Sequence, residues 1–357
     1  MSKRKQKKSS LKPLLLLLLL TAALLIVSTY AWFTSNKTVM VSSMDVNIQA
    51  SQGFQLSTDG ENWKTVLQVF DITNPTNYAN NKNHVASDMD PFSTAATRDA
   101  ANGYVEMFKG LVSSNPSGDL VLSAAQGTDD KTTVGGYTAF DLFFKTNNAI
   151  DLYLEPTAGV SDIGSGIRAG KGMENAARVA FAYQGLLPAA SISASDPSVG
   201  SQARAMQTTT DPDGQKVTIW EPNSDAHTAN AISDIFNIWG SSVSSNILTA
   251  PQLYDGIFAD IPAGDPTATP TPIPYTLLTD NTALLNPNYF KNIQADRVST
   301  LKARTSPDSL HITLQPGITK FRVYMWLEGQ DWDCYDSASG SNIQWNLILS
   351  AQPAVTP

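Results

Sequence analysis

Apolar residues follow two different patterns along this chain. The first is a solid block near the start, from Leu14 to Val27. The second is alternation, and it dominates the rest. Val39 and Val41, then Met44, Val46 and Ile48, alternate with polar residues, and the phase slips once at Ser42-Ser43. That predicts a strand with a bulge over Thr38 to Ile48. Phe54 and Leu56 begin a second strand, closed by the turn signal Thr58-Asp59-Gly60 with Trp63 beyond. Phe140, Leu142 and Phe144 give Tyr137 to Thr146 one apolar face; Ile150, Leu152 and Leu154 repeat the alternation after the turn Asn147-Asn148. Asp119 to Ser123, Arg178 to Tyr183, Val217 to Trp220, Leu310 to Leu314, Lys320 to Leu327 and Ile343 to Leu349 complete the set. Short strands punctuated by Gly, Asn, Asp and Pro predict a mainly β chain, an antiparallel β-sandwich.

Long polar stretches interrupt the strands. Asp71 to Asp90 is rich in Asn, and Ala189 to Thr210 in Ser and Ala. Ala263 to Pro274 carries Pro266, Pro270, Pro272 and Pro274 among small residues, which predicts a stiff extended loop. Insertions are therefore expected over residues 71–117, 185–212 and 263–308. Two helices are expected, at Asn230 to Trp239 and over part of Asn281 to Ala303.

The apolar block sits behind Lys3, Arg4, Lys5, Lys7, Lys8 and Lys12 and ends at Ser28-Thr29-Tyr30-Ala31. A charged start, an apolar core and small residues before a cut describe an export signal, with Thr29 and Ala31 ahead of the cut. Counted on through Phe33, the block is also long enough to span a bilayer, with Tyr30 and Trp32 in the interfacial belt. Residues 1–31 thus read as a signal peptide or a membrane anchor, and residues 32–357 as the exported domain. In both cases the lysines stay inside.

Charge supports export and excludes one class of partner. The 357 residues carry a net charge of −8 with a pI near 4.9. Without the six basic residues before residue 13, 18 basic groups face 32 acidic ones, a net −14. Such a domain has nothing to neutralise phosphates, so nucleic acid is not an expected partner. The single cysteine, Cys334, permits no internal disulfide, and a buried free thiol is expected there.

Catalytic signatures are missing, so no enzyme, cofactor or metal site is expected. The sequence has no Gly-x-Ser-x-Gly elbow and no His-Glu-x-x-His, and His84, His227 and His311 are far apart. Gly164-Ser165-Gly166 with Gly170-Lys171-Gly172 departs from a phosphate loop at Ser165 and Gly172, and reads as a flexible loop. Three weaker groups remain. Glu328, Asp331, Asp333 and Asp336 resemble a calcium loop, but Tyr335 breaks the pattern and a solvated acidic turn is expected. Trp220-Glu221-Pro222-Asn223, with Asp225 and His227, reads as a strand end and turn. Trp63, Trp220, Trp239, Trp326, Trp332 and Trp345 are expected mainly in the core; exposed ones would be platforms for sugars.

The run Thr29-Tyr30-Ala31-Trp32-Phe33-Thr34, behind its basic start and apolar core, resembles the SipW-type signal peptide of the camelysin/TasA-like family. Phe140 to Lys145, Ala177 to Phe181, Ile219 to Asn223 and Trp326 to Asp331 look similar to pieces of surface proteins carrying that signal. The resemblance implies a jelly-roll-like sandwich exported by a Gram-positive bacterium, cut by a signal peptidase at the Ala31–Trp32 junction. It also implies assembly into extracellular fibres of a biofilm matrix. Some relatives were described as metalloproteases, and the missing zinc motif argues against carrying that over.

The expected function is a non-catalytic structural protein, a fibre or biofilm-matrix subunit whose partners are copies of itself or related surface subunits. The candidate donor strand is Val39, Val41, Met44, Val46 and Ile48, which would join the sheet of a neighbouring subunit by β-strand addition. The alternative is a membrane-anchored extracellular binding module, for example for glycans.

Overall fold

The structure is a computed structural model. It describes residues 46–50, 53–74, 78, 81–86, 89–94, 98–114, 120–129, 136–155, 158–164, 170, 172–193, 196–208, 217–220, 222, 228, 257–259, 290–292, 311–329, 331, 333–334 and 342–354. In chain order the strands are β1 (Val46–Ala50), β2 (Phe54–Ser57), β3 (Val66–Leu67), β4 (Pro91–Phe92), β5 (Phe108–Ser114), β6 (Leu120–Gln126), β7 (Thr138–Thr146) and β8 (Ile150–Leu154). They continue as β9 (Gly159–Asp162), β10 (Ala177–Pro188), β11 (Thr218–Trp220), β12 (Ile257–Ala259), β13 (Phe290–Asn292), β14 (His311–Leu314), β15 (Gly317–Glu328) and β16 (Ile343–Pro353). Two short α-helices, α1 (Val69–Thr73) and α2 (Val199–Ala205), lie between them.

Two six-stranded sheets carry the fold. The first has the order β14-β8-β16-β1-β3, with β9 also on β16; the second has β11-β10-β15-β7-β2, with β4 also on β15. Pairing is antiparallel except where β1 runs parallel to β16 and β4 parallel to β15. The chain crosses between sheets at most connections: β7 leads into β8, and β14 into β15. The chain is mainly β, as the alternation predicts.

Period-2 alternation decides what fills the space between the sheets. Ile48, Leu152, Leu154, Trp345 and Leu347 from the first sheet join Phe140, Leu142, Phe144, Val179, Phe181, Val323 and Met325 from the second in one core. Two sheets sharing one apolar layer are consistent with a β-sandwich. Fully burying side chains of this size stabilises by roughly 1.5–3 kcal/mol each.

The second sheet is buried on its other face as well. Every residue of β15 is buried, and all of β7 except Lys145. The outer cover comes from the stretch expected as a polar insertion: Phe92, Val105 and Met107 pack on Ala139, Ala180, Tyr324 and Trp326. At the other end Ala203 of α2 packs with Phe143 and Ile318, with Trp63, Leu187 and Met206 at the margin.

Glycine is required where the end of β10 passes closest to the start of β15. Gly317 has φ +136°, and a Cβ there would lie 2.2 Å from the Leu187 carbonyl oxygen. Gly185, at φ +146°, marks the register shift in β10 against β15.

Within Asn281 to Ala303, over part of which a helix is expected, the described residues Phe290–Asn292 form a strand paired with β12; the other residues of that stretch lie outside the described residues. The helix expected at Asn230 to Trp239 lies outside the described residues, as does the apolar block of residues 1–31. Among the described residues no helix is long and apolar enough to cross a membrane.

Candidate functional site

The expected assembly residues divide at Val46. Ala31, Trp32, Val39, Val41 and Met44 lie outside the described residues. Val46 and Ile48 belong to β1, which is not at an edge. Val46, Ile48 and Ala50 stand opposite Trp345, Leu347 and Leu349 of β16, while Ile48 and Gln49 face Leu67 and Val66 of β3. Ile48 is fully buried in the inter-sheet core. Its neighbour on the edge side is only two residues long, and α1 follows it with Phe70 exposed.

The densest chemistry lies elsewhere, on the outer face of the second sheet. Alternation sends Phe140, Leu142 and Phe144 inward, so Asp141 points outward; on β15, Lys320, Arg322, Tyr324 and Trp326 share that outer face. Register then places Arg322 directly opposite Asp141. Arg322 Nη1 lies 3.2 Å from Asp141 Oδ1, and Lys320 Nζ 3.2 Å from Asp141 Oδ2. From the chain just after β6, Asp129 Oδ2 meets Arg322 Nη2 at 3.2 Å and accepts from Tyr324 at 3.0 Å, while its Oδ1 accepts from Tyr137 at 2.6 Å. Tyr78 donates to Asp141, and the Arg322 guanidinium stacks 4.9 Å from the Tyr104 ring.

Two cations and two carboxylates therefore balance in a dry layer. Burial pushes the Asp141 carboxyl up, but Arg322 and Lys320, with the Tyr78 hydrogen bond, outweigh it and leave it below the ordinary carboxylate range. Burial would lower the Arg322 pKa, yet Asp129 and Asp141 raise it, so the guanidinium stays charged. Burial lifts the phenol of Tyr104 to about 12 and those of Tyr78, Tyr137 and Tyr324 further, which keeps them as neutral donors.

A segment at residues 82–84 is strapped onto this network. Arg322 Nη2 donates to the Lys82 carbonyl at 2.6 Å and Nη1 to Asn83 Oδ1 at 2.9 Å. Asn83 Oδ1 also accepts from the Asp141 amide at 2.8 Å. His84 exchanges both main-chain bonds with Ala139, at 2.8 and 3.0 Å.

A second buried ion pair occupies the acidic loop. Arg178 Nη2 lies 2.6 Å from Asp331 Oδ2, both side chains fully buried. Glu328 accepts from the Trp326 indole at 3.1 Å, and Asp333 from the Thr228 amide at 2.9 Å. The solvated turn expected here is thus a buried one: Glu328, Asp331 and Asp333 are all enclosed, and Asp336 lies outside the described residues. Burial raises the Asp331 pKa, Arg178 draws it down, and the repulsion of Asp333 leaves it raised. Among the described residues no group of three or more His, Cys, Asp or Glu could hold a metal ion. Cys334 is free and buried, its thiol pushed up by burial.

Asp162 accepts from the Gly164 amide at 2.6 Å and also from the Gly170 amide, so a carboxylate of the chain occupies that glycine loop. Trp220, Trp326 and Trp345 are buried, whereas Trp63 is half-buried with Lys145 Nζ 5.4 Å from its ring. Pro222 is buried; Glu221, Asn223, Asp225, His227, Trp239 and Trp332 lie outside the described residues.

Sequence reasoning missed Asp129, Asp141, Lys320, Arg322 and His84. The available signal was a charge inside an otherwise apolar strand, as in Phe140-Asp141-Leu142 and Phe321-Arg322-Val323. On a one-sided sheet such a charge faces water, and only the cover makes it buried. Compared with known proteins, the chain matches no family model, no curated protein and no solved structure.

Proposed function

We propose that this chain is a non-catalytic extracellular structural protein, a fibre or biofilm-matrix subunit that assembles by β-strand addition. On this reading residues 1–31 are an export signal or anchor of the camelysin/TasA-like kind, ahead of a jelly-roll-like sandwich. The observation that supports it most is the seat of β1. A five-residue strand close to the N-terminal segment lies between β16 and β3, held by main-chain pairing, with Ile48 in the core. The same strand from a second copy would find the same partners there, so exchange between copies adds few new interactions and loses few. Cleavage at Ala31–Trp32 would free the strand from the membrane and start the exchange.

The test is N-terminal sequencing and electron microscopy of the exported material, with and without an excess of a peptide spanning Thr38 to Ile48. A chain starting at Trp32, recovered as fibres whose growth the peptide stops, is the expected result. Fibre growth at an unchanged rate with the peptide in excess would sink strand exchange.

The alternative, a membrane-anchored glycan-binding module, draws on a cleft lined by Gly53, Phe54, Gln55, Lys145 and Asn147, where Lys145 also stacks on Trp63. An uncut, monomeric chain in the membrane fraction whose Trp63 fluorescence responds to a glycan array hit would favour it.

A further inference from the structure

We propose that residues 82–84 form an acid-released strap over the buried charge network, with His84 as its sensor. The geometry that carries this is local and specific. The His84 Nδ1 lies 3.0 Å from the Lys82 carbonyl, which can only accept, so Nδ1 carries the proton and Nε2 the lone pair. Nε2 is buried and makes no hydrogen bond, and the residue is only 5% exposed. That same Lys82 carbonyl accepts from Arg322 Nη2. A proton added to Nε2 therefore puts a second positive charge beside the guanidinium that holds the strap down, in a layer already balanced by Asp129 and Asp141.

The groups acting on the ring come from three sides. Arg322 reaches it from β15, Asp129 from the end of the β5–β6 hairpin, and the Tyr137 ring meets it edge-on at 5.4 Å from the start of β7. Burial disfavours the charged imidazole most. Asp129, the Lys82 carbonyl and the Tyr137 backbone favour it, Arg322 opposes it, and the net direction is below the ordinary 6.5. The sign follows. The neutral ring is the folded form; once the strap opens, the ring titrates at its ordinary value. Below pH 6.5 the open form binds a proton that the closed form refuses, so opening becomes easier as pH falls toward the folded value.

Opening breaks a defined set of bonds. The strap loses its two Arg322 contacts, the Asn83 bond from the Asp141 amide and its main-chain bridge to Ala139, which leaves Arg322 with Asp129, Asp141 and the Tyr104 ring and uncovers the β7 main chain at that point. The inter-sheet core contains none of these groups and keeps its contacts.

Hydrogen exchange of the full chain in mild detergent, followed by mass spectrometry and corrected for intrinsic chemical exchange, tests the strap. Protection of peptides covering residues 81–86 should fall as pH is lowered from 7.5 to 5, by up to about tenfold per pH unit for a one-proton coupling. Peptides of β16 should not follow. His84→Gln, whose amide can still donate to Lys82, and His84→Phe, which keeps the ring contact, should each remove the pH step. A wild type without the step overturns the proposal, and so does a step that persists in both variants. An imidazole titration of the wild type supplies an independent check should either variant fail to fold: a His84 midpoint at or above 6.5 also overturns it.

Discussion

The two faces of the second sheet are both dry, yet different forces hold them. The inner face is apolar and packs on the first sheet through Phe140, Leu142, Phe144, Val323 and Met325. The outer face carries Asp141, Lys320 and Arg322 beside an apolar cluster of Phe92, Met107, Ala180 and Trp326, and polar side chains pair with its charges. Dispersion and burial hold the first face, and both are indifferent to pH. Charge-assisted hydrogen bonds add to apolar packing on the second, and they fail as soon as one partner is missing. The comparison teaches that burial alone does not say what a face depends on: the inner face requires close packing, while the outer face requires complete pairing as well.

Breaking either face should cost most. Arg322→Met leaves Asp129 without its cation and Asp141 with Lys320 as its remaining one, and it removes the two side-chain contacts of the strap, so urea unfolding should show a loss of about 3–5 kcal/mol at pH 7. The matching inner-face variant, Leu142→Ala, leaves a cavity and should lose about 2–5 kcal/mol. Size does not separate the two, but pH does. The folded Asp141 carboxyl lies below its ordinary 3.8, so it contributes stability above pH 3.8 that disappears as pH falls through the folded value. The deficit of Arg322→Met relative to wild type should therefore shrink below pH 3.8. The deficit of Leu142→Ala should stay constant across the same range, as long as the wild type remains folded. Equal pH profiles for the two variants would dissolve the distinction between the faces.

The smallest effect belongs to a charge pair outside both faces. Lys64 pairs with Asp71 at the start of α1, with its side chain 48% exposed. Lys64→Ala should change stability by less than about 1 kcal/mol, and added salt should erase the difference. A loss of the size expected for Arg322→Met would mean that burial does not set the value of an ion pair in this protein.

How far each feature was legible depends on the range of the interaction behind it. The strands at Tyr137 to Thr146, Ile150 to Leu154 and Ile343 onward were readable because side-chain alternation is a local property of the extended backbone. β5 was not readable within the stretch from residue 71 to 117, because Phe108-Lys109-Gly110-Leu111 has no clear alternation and its strand form comes from pairing with β6. The Phe290–Asn292 strand was not readable for the same reason: its β12 partner is distant in sequence.

Asp141 and Arg322 show the boundary most sharply. They are 181 residues apart, and nothing local says that they face each other. By itself the sequence determined which residues of each strand share a face, because the backbone period requires it. It also determined that residues 32–357 are acidic, carry a single cysteine and are rich in the alternation of strands. Tertiary structure alone decided that the outer face of the second sheet is covered. The cover's contacts are long-range, and the same charges would sit comfortably in water without it. The N-terminal strand divides in the same way: its alternation was written in Val46 and Ile48, but its seat between β16 and β3 depends on partners that the chain supplies far away.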